Sequence, residues 1–273
     1  MSAETVATRT QVALDRHIPM GVARDTVAIV QRNLIAYRRV PQLLVFSTIQ
    51  PVIFVVMFRY VFGGAIQASL PPSVPYVDYL MPGIFLQTVV FGAIATAIGL
   101  ATDVKSGLME RFHALPMARS AVLSGRTLAD TVRNVFVVAL MMTVGFLVGW
   151  RIHTDVLGLL AGAGLVLLFG FSMSWIFATV GLAVGDPETA QAASFPVLAP
   201  LVFASSAFVP VETMPTWLQG FAAHQPVSVT ASAVRALTLG GPAAADVLAS
   251  IAWSIGLIAV FGTIAVRLYR RAV

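Results

Sequence analysis

The residues able to do chemistry are few and scattered. The single lysine, Lys105, sits in Asp103-Val-Lys-Ser-Gly107, and no Gly-x-x-x-x-Gly-Lys-Ser/Thr run surrounds it. That run cradles nucleotide phosphates on backbone N–H groups and a lysine. The chain is therefore not its own ATPase by that route. His17, His113, His153 and His224 lie far apart and form no His-x-x-x-His or His-Glu-x-x-His pair, which argues against catalytic zinc. There is no cysteine, so disulfides, thiol chemistry and Cys-based metal sites are excluded. There is no Gly-x-Ser-x-Gly elbow for a nucleophilic serine either.

What remains is a set of polar residues inside long apolar runs. Arg59, in Met57-Phe-Arg-Tyr-Val-Phe62, is the one ionisable residue well inside a predicted span. It either snorkels outward or touches cargo. Ser47, Thr48, Gln50, Gln87, Thr88, Thr96, Ser172, Ser174 and Ser194 are uncharged and lie at depth. They can line a path for an amphipathic molecule, or bond helix to helix and back to their own backbone. Gln50, Phe54, Gln87 and Arg59 are the path candidates. Gradient-driven carriers usually need ionisable groups at depth. Their shortage argues against such a carrier, and the lack of clustered polar groups argues against a lipid-modifying enzyme.

The elements that position these residues are membrane spans. Of 273 residues, 58% are hydrophobic and 11% charged, against roughly 25% charged in a soluble domain. Lipid must cover the surface that charge does not. Spans need about 20 mostly apolar residues, and six stretches qualify: about 43–62, 79–101, 132–150, 156–184, 190–208 and 247–266. The runs are continuous rather than alternating, so helices rather than a barrel are expected. The fold class is an all-α integral membrane protein.

Lys and Arg residues set orientation. A six-span arrangement puts fourteen of the seventeen on one side, among them Arg32, Lys105, Arg126, Arg133 and Arg270, and leaves Arg59, Arg151 and Arg235 towards the other. Both termini are then cytoplasmic. The cations sit in short segments between apolar runs, not in one basic arm, so no nucleic-acid partner is expected. The first twenty residues are polar and the first apolar run begins near Leu43, too late for a cleavable signal. Residues 1–24 read as a flexible cytoplasmic tail and 25–273 as one membrane domain.

Four surface segments carry further expectations. Residues 25–39 form an amphipathic helix, with Val27, Val30, Leu34 and Tyr37 on one stripe, lying in the headgroup layer or solvated in the cytoplasm. In the loop after span two, Leu108, Met109, Phe112 and Leu115 make a second helical stripe, stopped by Pro116. Asp186 and Glu188, between spans four and five, suit a helix N-terminus. Between spans five and six, a short helix with Thr213 before it and Gly220 at its end precedes another after Pro226. Both are too short to cross, and re-entrant or interfacial placement is expected.

Several motifs fall in one order between the spans. Ser106-Gly-Leu-Met-Glu-Arg-Phe-His-Ala-Leu-Pro-Met-Ala-Arg-Ser120 is followed by Ser124-Gly-Arg-Thr-Leu-Ala-Asp130. Phe58-Arg-Tyr-Val-Phe-Gly-Gly64 ends span one, and Phe208-Val-Pro-Val-Glu-Thr-Met-Pro-Thr-Trp-Leu-Gln219, Gln225-Pro-Val-Ser228 and Val234-Arg-Ala-Leu237 come later. Together they resemble ABC-2 type permeases, especially the daunorubicin-resistance branch, from about residue 25 to the end. The resemblance implies a permease in the plasma membrane that exports amphipathic drugs, antibiotics or lipids. It implies a second permease copy or homologue, two copies of a separate ABC ATPase subunit, and contact with membrane lipids. ATP and magnesium would be on that partner, with no cofactor in this chain. Glu110, Arg111, Phe112, Leu115 and Pro116 would form the coupling helix that docks on the ATPase, and Asp186 and Glu188 a smaller contact.

Overall fold

The computed structural model describes residues 19–39, 41–108 and 119–271, with side chains for 24–35, 48–108 and 123–271. The coupling-loop residues Glu110, Arg111, Phe112, Leu115 and Pro116 lie outside the described residues. Those described form α1 (Pro19–Arg39), α2 (Pro41–Val56), a π-helical turn (Met57–Phe62), α3 (Gly63–Gln67), α4 (Tyr76–Lys105), α5 (Arg119–Leu147), α6 (Val156–Val184), α7 (Pro187–Phe203), a 3-10 turn (Val211–Thr213), α8 (Thr216–His224), α9 (Pro226–Leu239) and α10 (Ala244–Arg271). There is no strand among them.

The bundle is built around α4. A helix that is apolar all round buries every face, and α4 is buried almost without a break from Tyr76 to Val90. It packs on α2, α5, α6, α7 and α9, while α10 packs outside, on α6 and α9. Lipid is as apolar as leucine, so close backbone approach, not hydrophobic exclusion, holds such helices together. Gly181 of α6 lies against the Ala97 backbone and Gly83 against the Ala207 carbonyl, where a Cβ would overlap both neighbours.

Five helical segments are long and apolar enough to cross a membrane: Thr48–Gln67, Tyr76–Lys105, Leu123–Leu147, Val156–Val184 and Ala244–Arg271. The fourth run of the sequence is reproduced at both ends. The third starts earlier than expected, inside a helix that extends back to Arg119. The fifth run, 190–208, folds as α7, 17 residues with Pro196 and Pro200 inside. At 1.5 Å per residue that is about 25 Å, short of the roughly 30 Å hydrocarbon core. The chain then turns irregularly through 204–210.

Three local expectations shift. Helix α1 begins at Pro19 rather than at Asp25, and among its described side chains the buried hydrophobic one is Ile29, which the expected stripe omits, while Val27 is exposed. The reason is α5: its Gly125 has no side chain, and Ile29 fills the space. Helix α8 starts after Pro215 and runs on past Gly220 to His224. Helix α9 begins at Pro226 as expected, capped by the Gln225 side chain.

Gly83→Val should destabilise the protein by at least about 2 kcal/mol, since overpacking a tight contact costs 1–3 kcal/mol or more. Gly64→Ala meets open space and should be neutral. Thermal unfolding of the two detergent-purified variants checks this; equal melting temperatures would contradict the close-packing account.

Candidate functional site: a charged seam and a carboxamide-lined cavity

Arg126, Asp130 and Arg133 stand at i, i+4 and i+7, so they share one face of α5. That face meets α4. Arg126 places Nη1 3.3 Å from Asp103 Oδ2 and Nη2 3.4 Å from the Ala95 carbonyl. Its guanidinium passes directly over Gly99, where any side chain would block it. The Thr96 hydroxyl donates to Asp130. Arg133 donates to the Gly92 carbonyl at 2.7 Å and to Asn134 Oδ1 at 3.2 Å. Arg32, from α1, reaches the other Asp103 oxygen at 3.2 Å. One carboxylate thus ties three helices together. Asp103, Asp130 and Arg133 are all buried.

This seam changes the inventory read from sequence, in which Arg59 was the one ionisable residue well within a span. Arg126, Asp130 and Arg133 lie inside the candidate span Leu123–Leu147. A hydropathy window averages over all faces of a helix and hides a charged stripe on one of them. The i, i+4, i+7 spacing was the signal that could have revealed it.

Above the seam is a cavity of about 430 Å3 between α2, α4, α5 and the start of α7. Its polar lining is Gln50, Gln87, Thr88, Arg133, Asn134 and Gln191, and Phe91, Ile94, Ile98 and Val137 are among its apolar walls. Gln50 and Gln191 are exposed at its edge. Gln87 and Asn134 are 1% and 3% exposed. Gln87 Oε1 and Asn134 Nδ2 have no hydrogen-bond partner among the described residues. Leaving a buried polar atom unpaired costs about 1–3 kcal/mol, so such atoms call for an explanation.

Two of the four path candidates, Gln50 and Gln87, therefore meet at one cavity. The other two do not. Phe54 joins an aromatic group with Phe58, Phe203 and Phe208, in which Phe58 and Phe208 stack at 4.5 Å and 8°. Arg59 sits in the π-helical turn, 5.9 Å from the Tyr60 ring.

At the far end of α4 is a second polar cluster with no assigned role in the sequence reading. Arg235 of α9 stacks on the Tyr79 ring at 3.6 Å. It donates to the carbonyls of Tyr79, Ser206 and Ala207 at 2.9, 2.6 and 3.2 Å. The Tyr76 and Tyr79 hydroxyls donate to the Phe208 and Ser206 carbonyls. Gln225 Nε2 donates to the carbonyls of Leu201 and Ala204 at 2.8 and 2.9 Å. The arrangement is structural: it satisfies the broken end of α7.

Of the expected coupling residues, Asp186 and Glu188 are described. Asp186 caps α7 by accepting from the Thr189 N–H at 3.0 Å, and Glu188 lies in the first turn. Asp186 also accepts from Lys105 Nζ at 2.6 Å. The bridge joins the end of α4 to the α6–α7 turn. The Lys105 ammonium, then the Thr189 N–H and hydroxyl, hold the Asp186 carboxyl well below the usual carboxylate range.

Residues 24–239 match the ABC-2 type transporter family. The chain belongs to that family. It is 38% identical over 239 residues to the daunorubicin resistance ABC transporter permease protein DrrB1 of Streptomyces coeruleorubidus, covering 88% of this chain and 83% of that one. It is 27% identical over 226 residues to the probable doxorubicin resistance ABC transporter permease protein DrrC of Mycobacterium tuberculosis, with 83% and 81% covered. A putative transport permease, ycf38, of Cyanophora paradoxa is 23% identical over 215 residues, with 78% and 74% covered. As an ABC-2 permease with several long apolar helices, the chain is a multi-pass membrane protein. It is a transporter subunit rather than an enzyme, and ATP hydrolysis belongs to a separate subunit.

Asp103→Asn should cost about 2 kcal/mol, the scale of a hydrogen bond to a charged group, because two guanidinium groups lose their counter-ion. Thermal unfolding in detergent checks it. The loss should shrink when Arg126→Met is added, and strict additivity of the two changes would show that the pair is not coupled.

A depressed carboxyl lends stability at pH above its unfolded value, about 3.9, and loses it as pH falls through the folded value. The Asp186 cap should thus persist at pH 4 in the wild type. In Lys105→Met the carboxyl should move up towards the usual range, and the cap should weaken near pH 4. Titration of 13C-labelled aspartate by NMR reads this directly; identical Asp186 curves in the two proteins would refute it.

Proposed function

We propose that this chain is the membrane half of an ATP-driven exporter of amphipathic drugs, antibiotics or lipid-like molecules. The observation that carries the reading is the cavity in which Gln50 and Gln87 meet beneath apolar walls. The names of the relatives point the same way: two are drug-resistance permeases. A glycolipid or lipid-linked polysaccharide is the second reading, favoured by the four carboxamides around the cavity.

In this reading the permease has six spans in a plasma membrane, with α7 and the irregular 204–210 segment completing the fifth. The Lys and Arg distribution puts both termini in the cytoplasm, and α1 lies at the inner membrane surface. Helices α8 and α9 sit on the outer side, where the exposed Trp217 suits a membrane interface. The transporter contains two permeases, identical or homologous, and two ATPase subunits. The loop holding Glu110, Arg111, Phe112, Leu115 and Pro116 docks on the ATPase, with the Asp186–Glu188 turn as the smaller contact. Closure of the ATPases on ATP tilts the helices and opens the path outward. The buried seam charges are tied to one another and to backbone carbonyls, an arrangement that suits structure rather than ion coupling.

Co-expression with an ABC ATPase should give a complex that co-purifies and whose ATP hydrolysis depends on this chain. Glu110→Ala and Phe112→Ala should each reduce ATP-driven transport into inside-out vesicles at least about tenfold, roughly the 1.4 kcal/mol expected of one lost coupling contact, with membrane insertion unchanged. Normal transport by both variants would remove the coupling role of the loop. Failure to assemble with any ABC ATPase would overturn the exporter reading.

A further inference from the structure

We infer that Lys105 and Asp186 are positioning residues for energy transfer: their bridge makes the α6–α7 turn and the end of α4 move as one body when the ATPase subunits close. The inference rests on the exporter reading for the ATPase, and adds the route by which the turn acts on the bundle.

The last turn of α4 is held on two sides. Residues two apart on a helix do not share a face, so Asp103 and Lys105 serve different neighbours. Asp103 is buried and bonds Arg32 of α1 and Arg126 of α5. Lys105 is exposed and reaches the α6–α7 turn, with Nζ 2.6 Å from Asp186 Oδ1. That turn is short: Gly185, with φ of +71°, ends α6, and Asp186 caps α7. One carboxylate is thus divided between two helices. Its Oδ1 accepts from Lys105, and its Oδ2 from the N–H and hydroxyl of Thr189 in the first turn of α7. The charges suit the helix ends as well, an ammonium at a C-terminus and a carboxylate at an N-terminus.

Among the described residues this is the one side-chain hydrogen bond or ion pair from the turn to α4. Packing supports it, since a Cβ on Gly185 would lie 3.4 Å from Val104 Cγ1. The bridge adds resistance to separation and to rotation. Helix α4 packs on α2, α5, α6, α7 and α9, so a turn fastened to its end is fastened to the helix that organises the bundle. Without the bridge, the turn is tied only to α6 and α7. Lys105 is the only lysine in the chain, and its ammonium makes a point contact on a flexible stem. Exposed ion pairs add little to folding, so removing this one separates a positioning role from a stabilising role.

The test uses the permease–ATPase complex in nanodiscs. The chain has no cysteine, so spin labels on Thr102→Cys of α4 and Ala192→Cys of α7, both exposed, are unique within it. Their separation is read by electron paramagnetic resonance without nucleotide and after trapping with ATP and vanadate. With Lys105 present the separation should be the same in both states. In Lys105→Met it should differ between them. Asp186→Asn keeps a good helix cap and loses only the charge; it should behave as Lys105→Met does, and the double variant should be no worse than either single one. Lys105→Arg should behave as the wild type. Lys105→Glu should show the largest shift, because Glu188 adds to the negative field there.

In inside-out vesicles, uptake of ethidium per ATP hydrolysed should fall about fivefold in Lys105→Met and Asp186→Asn, the most that an exposed ion pair ordinarily carries. Melting temperatures should stay within about 4 °C of the wild type. If ethidium is not carried, the label separations decide. A separation that changes on trapping with Lys105 present, or that stays fixed in Lys105→Met, overturns the inference. Failure to assemble with any ABC ATPase is the different outcome that removes the exporter reading, and this inference with it.

Discussion

Hydrocarbon offers no hydrogen bonds, and every irregular stretch of backbone inside such a protein must find its partners in the protein itself. Helix α7 ends at Phe203 after two internal prolines, leaving its last carbonyls without successors. Side chains from elsewhere answer them. Gln225 takes the carbonyls of Leu201 and Ala204, Arg235 those of Ser206 and Ala207, and Tyr76 that of Phe208. Gly83 is bare so that this segment can lie against α4. The placing of α9, and through it of α10, follows from meeting that one demand.

The same rule shapes the opposite end of the bundle with charges. A buried ion pair is weak evidence for stability by itself, because desolvation offsets much of the Coulomb gain. Its value here lies in alignment. Arg126 and Arg133 find α4 carbonyls as well as Asp103 and Asn134, which fixes how α5 is rotated against α4. That rotation brings Asn134 and Arg133 round to face Gln50 and Gln87 across the cavity.

The all-helical class, the run 156–184 and the helix after Pro226 were legible because long apolar runs and proline punctuation act locally. The placement of α1 was not. Its contact with α5 depends on the missing side chain of Gly125, and no pattern within residues 25–39 records that. The fifth run reads as a span because its composition is apolar, yet Pro196 and Pro200 belong to a helix that stops early. Gln50 and Gln87 were recognisable as amides at depth. Arg133 and Asn134 were not placed beside them, because their meeting depends on the rotation of α5. Arg235 was seen as one cation of the outer side; its work on carbonyls about thirty residues away is tertiary.

Helix α4 has 30 residues and so is about 45 Å long. It is anchored at both ends. Asp103 and Lys105 hold α1, α5 and the α6–α7 turn at one end. Tyr76 and Tyr79 hold the 206–208 segment at the other. A stiff helix fixed in this way behaves as a tie-rod. It links the α6–α7 turn at one end to the segment beside the aromatic group around Phe208 at the other, with one wall of the cavity lying between.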